Sequence, residues 1–240
     1  MKVHGKTDIG AVRSSNQDAF ITGELGADVF YAVVCDGMGG ANAGNVASST
    51  AAKIISEYIL SSYRKGMDSF EVEKMLKNAI VSANIEIYSL SLKDAALSGM
   101  GTTVVAALLQ GNSLTVAHAG DSRAYKVSDK LYQLTRDHSV VQTLIESGKI
   151  TPEDAKVHPR KNVITKALGV EENIIADSNS HLITEGEALL LCTDGLSGYA
   201  EESEILEIFK NNQAESVPDE LIKLANSNGG GDNITAVVFA

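Results

Sequence analysis

The chain has 240 residues, 44% hydrophobic and 21% charged with only three prolines, enough to build a sizeable core, for which one large domain fits as well as two small ones. With 31 acidic residues against 20 basic ones, the formal net charge is −11, which disfavours nucleic acid and anionic membrane surfaces as partners. Apolar runs such as 104–109 are too short to cross a bilayer, and Met1-Lys-Val-His-Gly-Lys6 has no apolar signal core, so a cytoplasmic protein, monomeric by default, is expected.

The first strand signal is 29–35. Over 42–63 the apolar residues Ala47, Ala51, Ile54, Ile55, Tyr58 and Ile59 recur at helical spacing. A second helix should start at Asp68, because Glu71 three residues on can complete a capping box. Its apolar stripe is Val72, Leu76, Ala79, Ile80, Ala83, Ile87 and Leu90. Each helix has one apolar side and should pack on a sheet.

The runs 103–110 and 113–118 read as a β-hairpin, since Gly111-Asn112 suits a two-residue turn. A strand at 123–127 follows, then shorter helices at 139–147, 202–210 and 218–226, and a last strand at 234–239. Strands in hairpins and helices in pairs favour antiparallel sheets covered by helices over a doubly wound parallel sheet. The segment 148–173, with Pro152, Pro159 and His158-Pro-Arg160-Lys161, is the least periodic and reads as a mobile surface flap near the site, with a plain connecting loop nearly as good a reading.

Four aspartates stand where an apolar run meets a glycine-marked turn. Tyr31-Ala-Val-Val-Cys35 ends in Asp36-Gly37, and Ala188-Leu-Leu-Leu-Cys-Thr193 in Asp194-Gly195. Leu114-Thr-Val-Ala-His118 runs into Ala119-Gly120-Asp121, and Gly229-Gly-Gly231 precedes Asp232-Asn233. Asp-Gly is a common turn pair, so any one of these is unremarkable. Four carboxylates delivered to one sheet edge would repel one another and need cations between them. Oxygen donors of this kind suit Mg²⁺ or Mn²⁺. Cys35 and Cys192 lie inside the apolar runs and read as buried small hydrophobes.

The chain also carries an ordered set of short motifs. They are Thr7-Asp8-Ile9-Gly10-Ala-Val-Arg13-Ser-Ser-Asn16-Gln17-Asp18, Asp36-Gly37-Met38-Gly39-Gly40, Gly99-Met100-Gly101-Thr102-Thr103, Gly120-Asp121-Ser122-Arg123, Asp137-His138-Ser139, Thr193-Asp194-Gly195 and Gly231-Asp232-Asn233. Seven in this order resemble the bacterial protein phosphatases of the 2C type, the metal-dependent PPM family. The stretch from His158 to Gly169 is similar to Firmicute members that oppose serine/threonine kinases.

The resemblance implies a single domain over 1–240 with an α+β fold, a four-layer α-β-β-α sandwich of two packed antiparallel sheets flanked by helix pairs. It implies metal-dependent hydrolysis of phosphoserine and phosphothreonine in proteins, with phosphorylated proteins and a cognate serine/threonine kinase as partners. On this chain, Asp36 would bridge two Mn²⁺ or Mg²⁺ ions, the Gly37 carbonyl would bind one, and Asp194 and Asp232 the other. Asp121 matches the holder of a third, weaker ion, Asp18 an acidic residue working through water, and Arg13 the grip on the substrate phosphate. The chemistry suits those roles: a water between two cations ionises near neutral pH, and the planar guanidinium binds two phosphate oxygens.

One departure concerns the leaving oxygen. Where many bacterial members have a histidine after Gly-Met-Gly-Gly, this chain has Ala41, which leaves the leaving group's proton to another donor. For His138 and His158 a structural or surface role is at least as well supported as a catalytic one, and His118 reads as core. Two alternatives stand beside the main reading: a phosphatase dedicated to a single phosphoserine regulator of the anti-sigma-factor antagonist type, and a catalytically weak metal-binding regulatory domain.

Overall fold

The structure, a computed structural model, describes residues 1–40 and 43–240. One sheet has the order β1 (Val3–Asp8), β11 (Ile234–Phe239), β10 (Ala188–Cys192), β7 (Arg123–Val127), β8 (Leu131–Gln133). The other runs β2 (Asp18–Gly26), β3 (Val29–Met38), β5 (Val104–Gln110), β6 (Ser113–Ala119), β9 (Asp177–Leu182), with the short β4 (Gly101–Thr102) beside the end of β3. The pairings between these strands are antiparallel.

The period-2 alternation of each central strand feeds two cores at once. In β3, Ala32 and Val34 face the sheet of β10 and β11 while Val33 and Cys35 face helices α1 (Ala43–Ser62) and α2 (Ser69–Lys93). In β10, Leu189 and Leu191 face between the sheets. Leu190 and Cys192 face the helical layer of α5 (Asp194–Ser197), α6 (Glu202–Asn211) and α7 (Val217–Ser227). The result is the expected four-layer α-β-β-α sandwich. Strands buried on both faces read in sequence as continuous apolar runs, which is why 29–35 and 188–192 stand out.

The hairpin turns at Gly111, whose φ of 57° suits glycine, and pairs Gln110 with Ser113. Helix α2 starts at the expected capping box, with Asp68 accepting from the Glu71 amide and Glu71 from the Asp68 amide. Ala41 and Asn42 lie outside the described residues, so the departure at position 41 has no structural account. Cys35 and Cys192 are buried free thiols.

The segment 148–173 is more ordered in form than its sequence implied. It contains α4 (Pro152–Val157), opened by a Thr151/Asp154 capping box with proline at the first turn. Helix α3 (Val140–Glu146) precedes it. Its base is tied by Val140 N–H to Val163 O and Thr165 N–H to His138 O. Its return is tied by paired Thr102–Leu168 backbone bonds and by Asn84, which bonds Gly169, Glu171 and Glu172.

Candidate metal centre

Antiparallel order brings the end of one strand beside the start of the next, so residues far apart in sequence share one edge of the sandwich. Asp18 at the start of β2 is the register partner of Asp36 near the end of β3. Asp121 follows β6, Asp194 follows β10, and Asp232 precedes β11 on the same edge. Asp121, Asp194 and Asp232 line the floor of one cleft of about 1160 Å³. Its walls are formed by α3 and α4 on one side and by α5 and the start of α6 on the other. Lys156 of α4 pairs with Glu201 across them at 2.9 Å.

Two glycines permit this convergence. A Cβ on Gly37 would lie 2.1 Å from the Gly44 carbonyl oxygen and 2.6 Å from that of Gln17. A Cβ on Gly195 would lie 1.9 Å from the Asn233 oxygen, so only glycine lets the turn carrying Asp194 sit against the strand carrying Asp232. Asp36 is held through its backbone: its N–H donates to Thr103 Oγ1 at 3.0 Å, and its carbonyl accepts from Thr103 N–H and Thr102 Oγ1, both at 2.9 Å. That gives the Gly99–Thr103 motif a physical task.

Asp18, Asp36, Asp121 and Asp194 all have raised pKa values. Burial, then Asp18, Asp194, Asp121 and Asp232, push Asp36 well above the usual range. Burial chiefly, with Asp194 adding, brings both Asp18 and Asp121 up to about 7. Asp194 is raised by burial and Asp232, and its hydrogen bond with Asp36 works the other way. Asp18 Oδ1 and Asp194 Oδ1 are buried without a hydrogen-bond partner. Crowded anionic oxygens with unused lone pairs match a hard divalent cation. The residues present therefore fit the metal that the sequence implied.

Asp18 is aimed by two buried hydroxyls that sequence reading missed. Its Oδ2 accepts from Thr193 Oγ1 at 2.9 Å and Thr235 Oγ1 at 2.7 Å. Both bonds hold the Asp18 pKa down against burial. The Thr193→Val, Thr235→Val double variant should therefore move the acidic limb of the kcat/KM profile upward by about one pH unit or more. An unmoved limb would remove Asp18 from the rate-controlling ionisation.

Arg13 comes from the loop after β1, and its guanidinium donates to Asp232 Oδ2 at 2.7 Å. Asp232, with Asp36 and Asp194 behind it, raises the arginine's pKa further. The cation thus lies against Asp232, whose carboxylate lines the cleft, with the arginine side chain half-exposed.

The histidines are elsewhere. His118 and His138 stack with ring centroids 4.9 Å apart. His118 Nε2 bonds the Arg136 carbonyl at 2.8 Å. His138 Nδ1 accepts the Gly120 N–H at 3.0 Å, which makes Nε2 the protonated nitrogen facing Asp177 at 3.2 Å. Asp177 is already paired with Lys166 at 3.0 Å. Both nitrogens of His138 are committed, so it shapes the Gly120–Asp121 turn and is not a free proton donor. His118, His138 and Asp177 have metal-ligand spacing, but near-parallel stacked rings cannot both point a lone pair at one ion. His158 does not line the cleft, and its Nδ1 accepts from Arg160 N–H.

Comparison with known proteins follows the same lines. The family model described as Protein phosphatase 2C matches residues 10–230. The chain is 39% identical over 240 residues to the serine/threonine phosphatase stp of Listeria monocytogenes serotype 4b, covering 99% of this chain and 95% of that one. It is 34% identical over 243 residues to protein phosphatase PhpP of Streptococcus pneumoniae, covering 100% and 97%. Among solved structures, serine/threonine phosphatase Stp1 from Staphylococcus aureus superposes with a TM-score of 0.93 at 34% identity, over 99% of this chain and 93% of that one. The catalytic domain of the serine/threonine phosphatase PstP, in complex with two manganese ions, gives 0.85 at 34% identity over 99% and 96%.

Proposed function

The chain belongs to the protein phosphatase 2C family, whose members are metal-dependent serine/threonine protein phosphatases, and we propose the following division of labour for its site. Asp36 and the Gly37 carbonyl would hold one divalent cation, and Asp36 with Asp194 and Asp232 would hold a second. Asp121 helps hold a third and weaker one. Mn²⁺ or Mg²⁺ fits the all-oxygen donor set. The observation that carries this reading is the crowding of five carboxylates at one sheet edge, three of them lining one cleft, with Asp18 Oδ1 and Asp194 Oδ1 buried and unsatisfied among the described residues.

When bound, the cations supply an activated attacking water and neutralise charge on the phosphoryl oxygens. The protein's residues do the rest. Arg13 swings its fork from Asp232 to the phosphate and fixes the phosphorus for in-line attack. Asp18, with Oδ2 held by Thr193 and Thr235, keeps Oδ1 free to accept or return a proton from water. The walls from α3–α4 and α5–α6 admit the polypeptide that carries the phosphate.

The natural substrates are phosphoproteins; opposition to a serine/threonine kinase in the cytoplasm is the finer proposal. Support comes from the likeness to Listeria stp and Streptococcus PhpP. Among the described residues no helix is long and apolar enough to cross a membrane. The deciding experiment is Mn²⁺-dependent phosphate release from p-nitrophenyl phosphate and from a phosphothreonine peptide. Release from both supports the proposal, and several phosphoproteins turned over at similar kcat/KM favour the kinase-opposing role. Turnover of one small regulator alone would favour a dedicated phosphatase. Arg13→Ala should raise KM roughly tenfold or more with a smaller change in kcat; a kcat loss at unchanged KM contradicts the phosphate-binding role.

A further inference from the structure

The loop that presents Arg13, residues 9–17, has no regular secondary structure, so something must hold the arginine where a phosphate can use it. The side chain of Asn233 touches that loop three times. Its Oδ1 accepts the Gln17 N–H at 2.8 Å. Its Nδ2 donates to the Ile9 carbonyl at 2.9 Å and to the Ser15 carbonyl at 3.0 Å. One acceptor facing an amide and two donor hydrogens facing carbonyls fix the orientation of the amide group, and neither aspartate nor leucine could reproduce the set. Asn233 therefore ties the first residue of the loop, Ile9, to Ser15 and Gln17 at its end.

Other contacts are consistent with this clamp. Ala11 N–H donates to the Gly230 carbonyl at 2.8 Å, and Asn16 Nδ2 donates to Thr7 Oγ1 at 2.9 Å. Asn233 is 5% exposed and does not line the cleft, while its neighbour Asp232 does. Its backbone N–H, which no substitution short of proline removes, donates to Asp232 Oδ1 at 2.8 Å. The side chain thus serves the arginine loop, and the main chain serves the carboxylate.

We propose that Asn233 is the positioning residue for Arg13: by stapling both ends of the 9–17 loop to the start of β11, it sets how tightly the substrate's phosphoryl group is held. This rests on the reading of Arg13 as the phosphate-binding residue. Asn233 does not line the cleft, so on this proposal its loss acts chiefly through the arginine loop. A misplacement of about 1 Å in a positioning group can cost up to a hundredfold, and backbone groups left unpaired would loosen the loop.

The test measures KM and kcat for a phosphothreonine peptide and the inhibition constant of inorganic phosphate. The proteins are wild type, Arg13→Ala, Asn233→Ala and the double variant, with Mn²⁺ affinity by calorimetry and thermal melting alongside. Asn233→Ala should raise KM and the phosphate inhibition constant roughly tenfold, with kcat and Mn²⁺ affinity within about threefold of wild type. The double variant should match Arg13→Ala, because a clamp has nothing left to position once the arginine is gone. Additive losses in the double variant, or a fall in Mn²⁺ affinity or kcat at unchanged KM, would overturn the proposal. If Asn233→Ala does not fold, Asn233→Ser takes its place; failure of both to fold makes Asn233 a folding residue and also overturns it. An Arg13→Ala protein with unchanged KM and phosphate inhibition would instead sink the reading of Arg13 itself.

Discussion

Asp36→Asn is expected to abolish Mn²⁺-dependent phosphate release while making the metal-free protein more stable. Losing a residue that merely supports a ligand costs about 10- to 100-fold in metal affinity or activity, so losing a shared ligand should cost more than that. The substitution keeps volume and one oxygen, and the backbone bonds to Thr102 and Thr103 that place residue 36 are untouched. Without metal the same carboxylate is a liability. It sits among Asp18, Asp194, Asp121 and Asp232, and its pKa is raised well above the ordinary range by burial and by them. At pH 8 the native state must either tolerate that repulsion or bind a proton that the unfolded chain does not hold, and both cost stability. Asparagine needs neither. The metal-free variant should melt higher than wild type, at about 2–4 °C per kcal/mol relieved, and the rise in Tm on adding Mn²⁺ should shrink. A variant that keeps turnover at ordinary Mn²⁺ concentrations, or that melts lower without metal, argues against Asp36 at the centre of the site.

The opposed signs in that experiment reflect a division visible in the sequence itself. Asp36, Asp121, Asp194 and Asp232 were legible because each adjoins a strand buried on both faces, which leaves an apolar run with a carboxylate at its end. The hairpin and α2 were legible because turn and cap chemistry are local: Gly111-Asn112 in one case, Asp68 with Glu71 in the other. Edge strands left no such trace. Val3–Asp8 and Asp177–Leu182 each pair on one side only, with β11 and β6 respectively, and their polar composition reads as loop. Helix α4 was passed over although Thr151-Pro-Glu-Asp154 announces its first turn, because the prolines around it suggested irregularity. The supporting residues were illegible for a different reason. Thr193, Thr235 and Asn233 act on partners 175, 217 and 216 to 224 positions away, and no local pattern encodes a contact across that distance. A sequence thus declares its ligands more readily than the groups that aim them.

Mn²⁺ affinity should rise with pH through neutrality, and the sign follows from the direction of the carboxylate shifts. Asp18 and Asp121 are each pushed up to about 7, chiefly by burial, and Asp36 is raised in the same direction. An acid whose folded pKa lies above its unfolded value takes up protons on folding between those two values. These groups therefore favour the folded metal-free protein most at about pH 4 and below, and that contribution is lost as pH rises from about 4 toward 7. A divalent cation reverses the balance, because it supplies the positive charge that the protons supplied and must displace them to bind. For one displaced proton with a pKa of about 7, the apparent affinity should drop roughly tenfold between pH 7.5 and pH 6; two displaced protons would steepen this further. Calorimetry in two buffers with different heats of ionisation would count the protons released directly. The stability trend offers a second check: melting temperature should fall between pH 6 and pH 8 without metal, and rise over the same interval with saturating Mn²⁺. Asp18→Asn should remove roughly one proton from the count while leaving the direction of the trend intact, since Asp121 and Asp36 remain. Affinity independent of pH across this range would mean that the carboxylates are ionised before the cation arrives. The repulsion among them would then be absorbed by Arg13 on Asp232 and by the hydroxyls of Thr193 and Thr235 on Asp18.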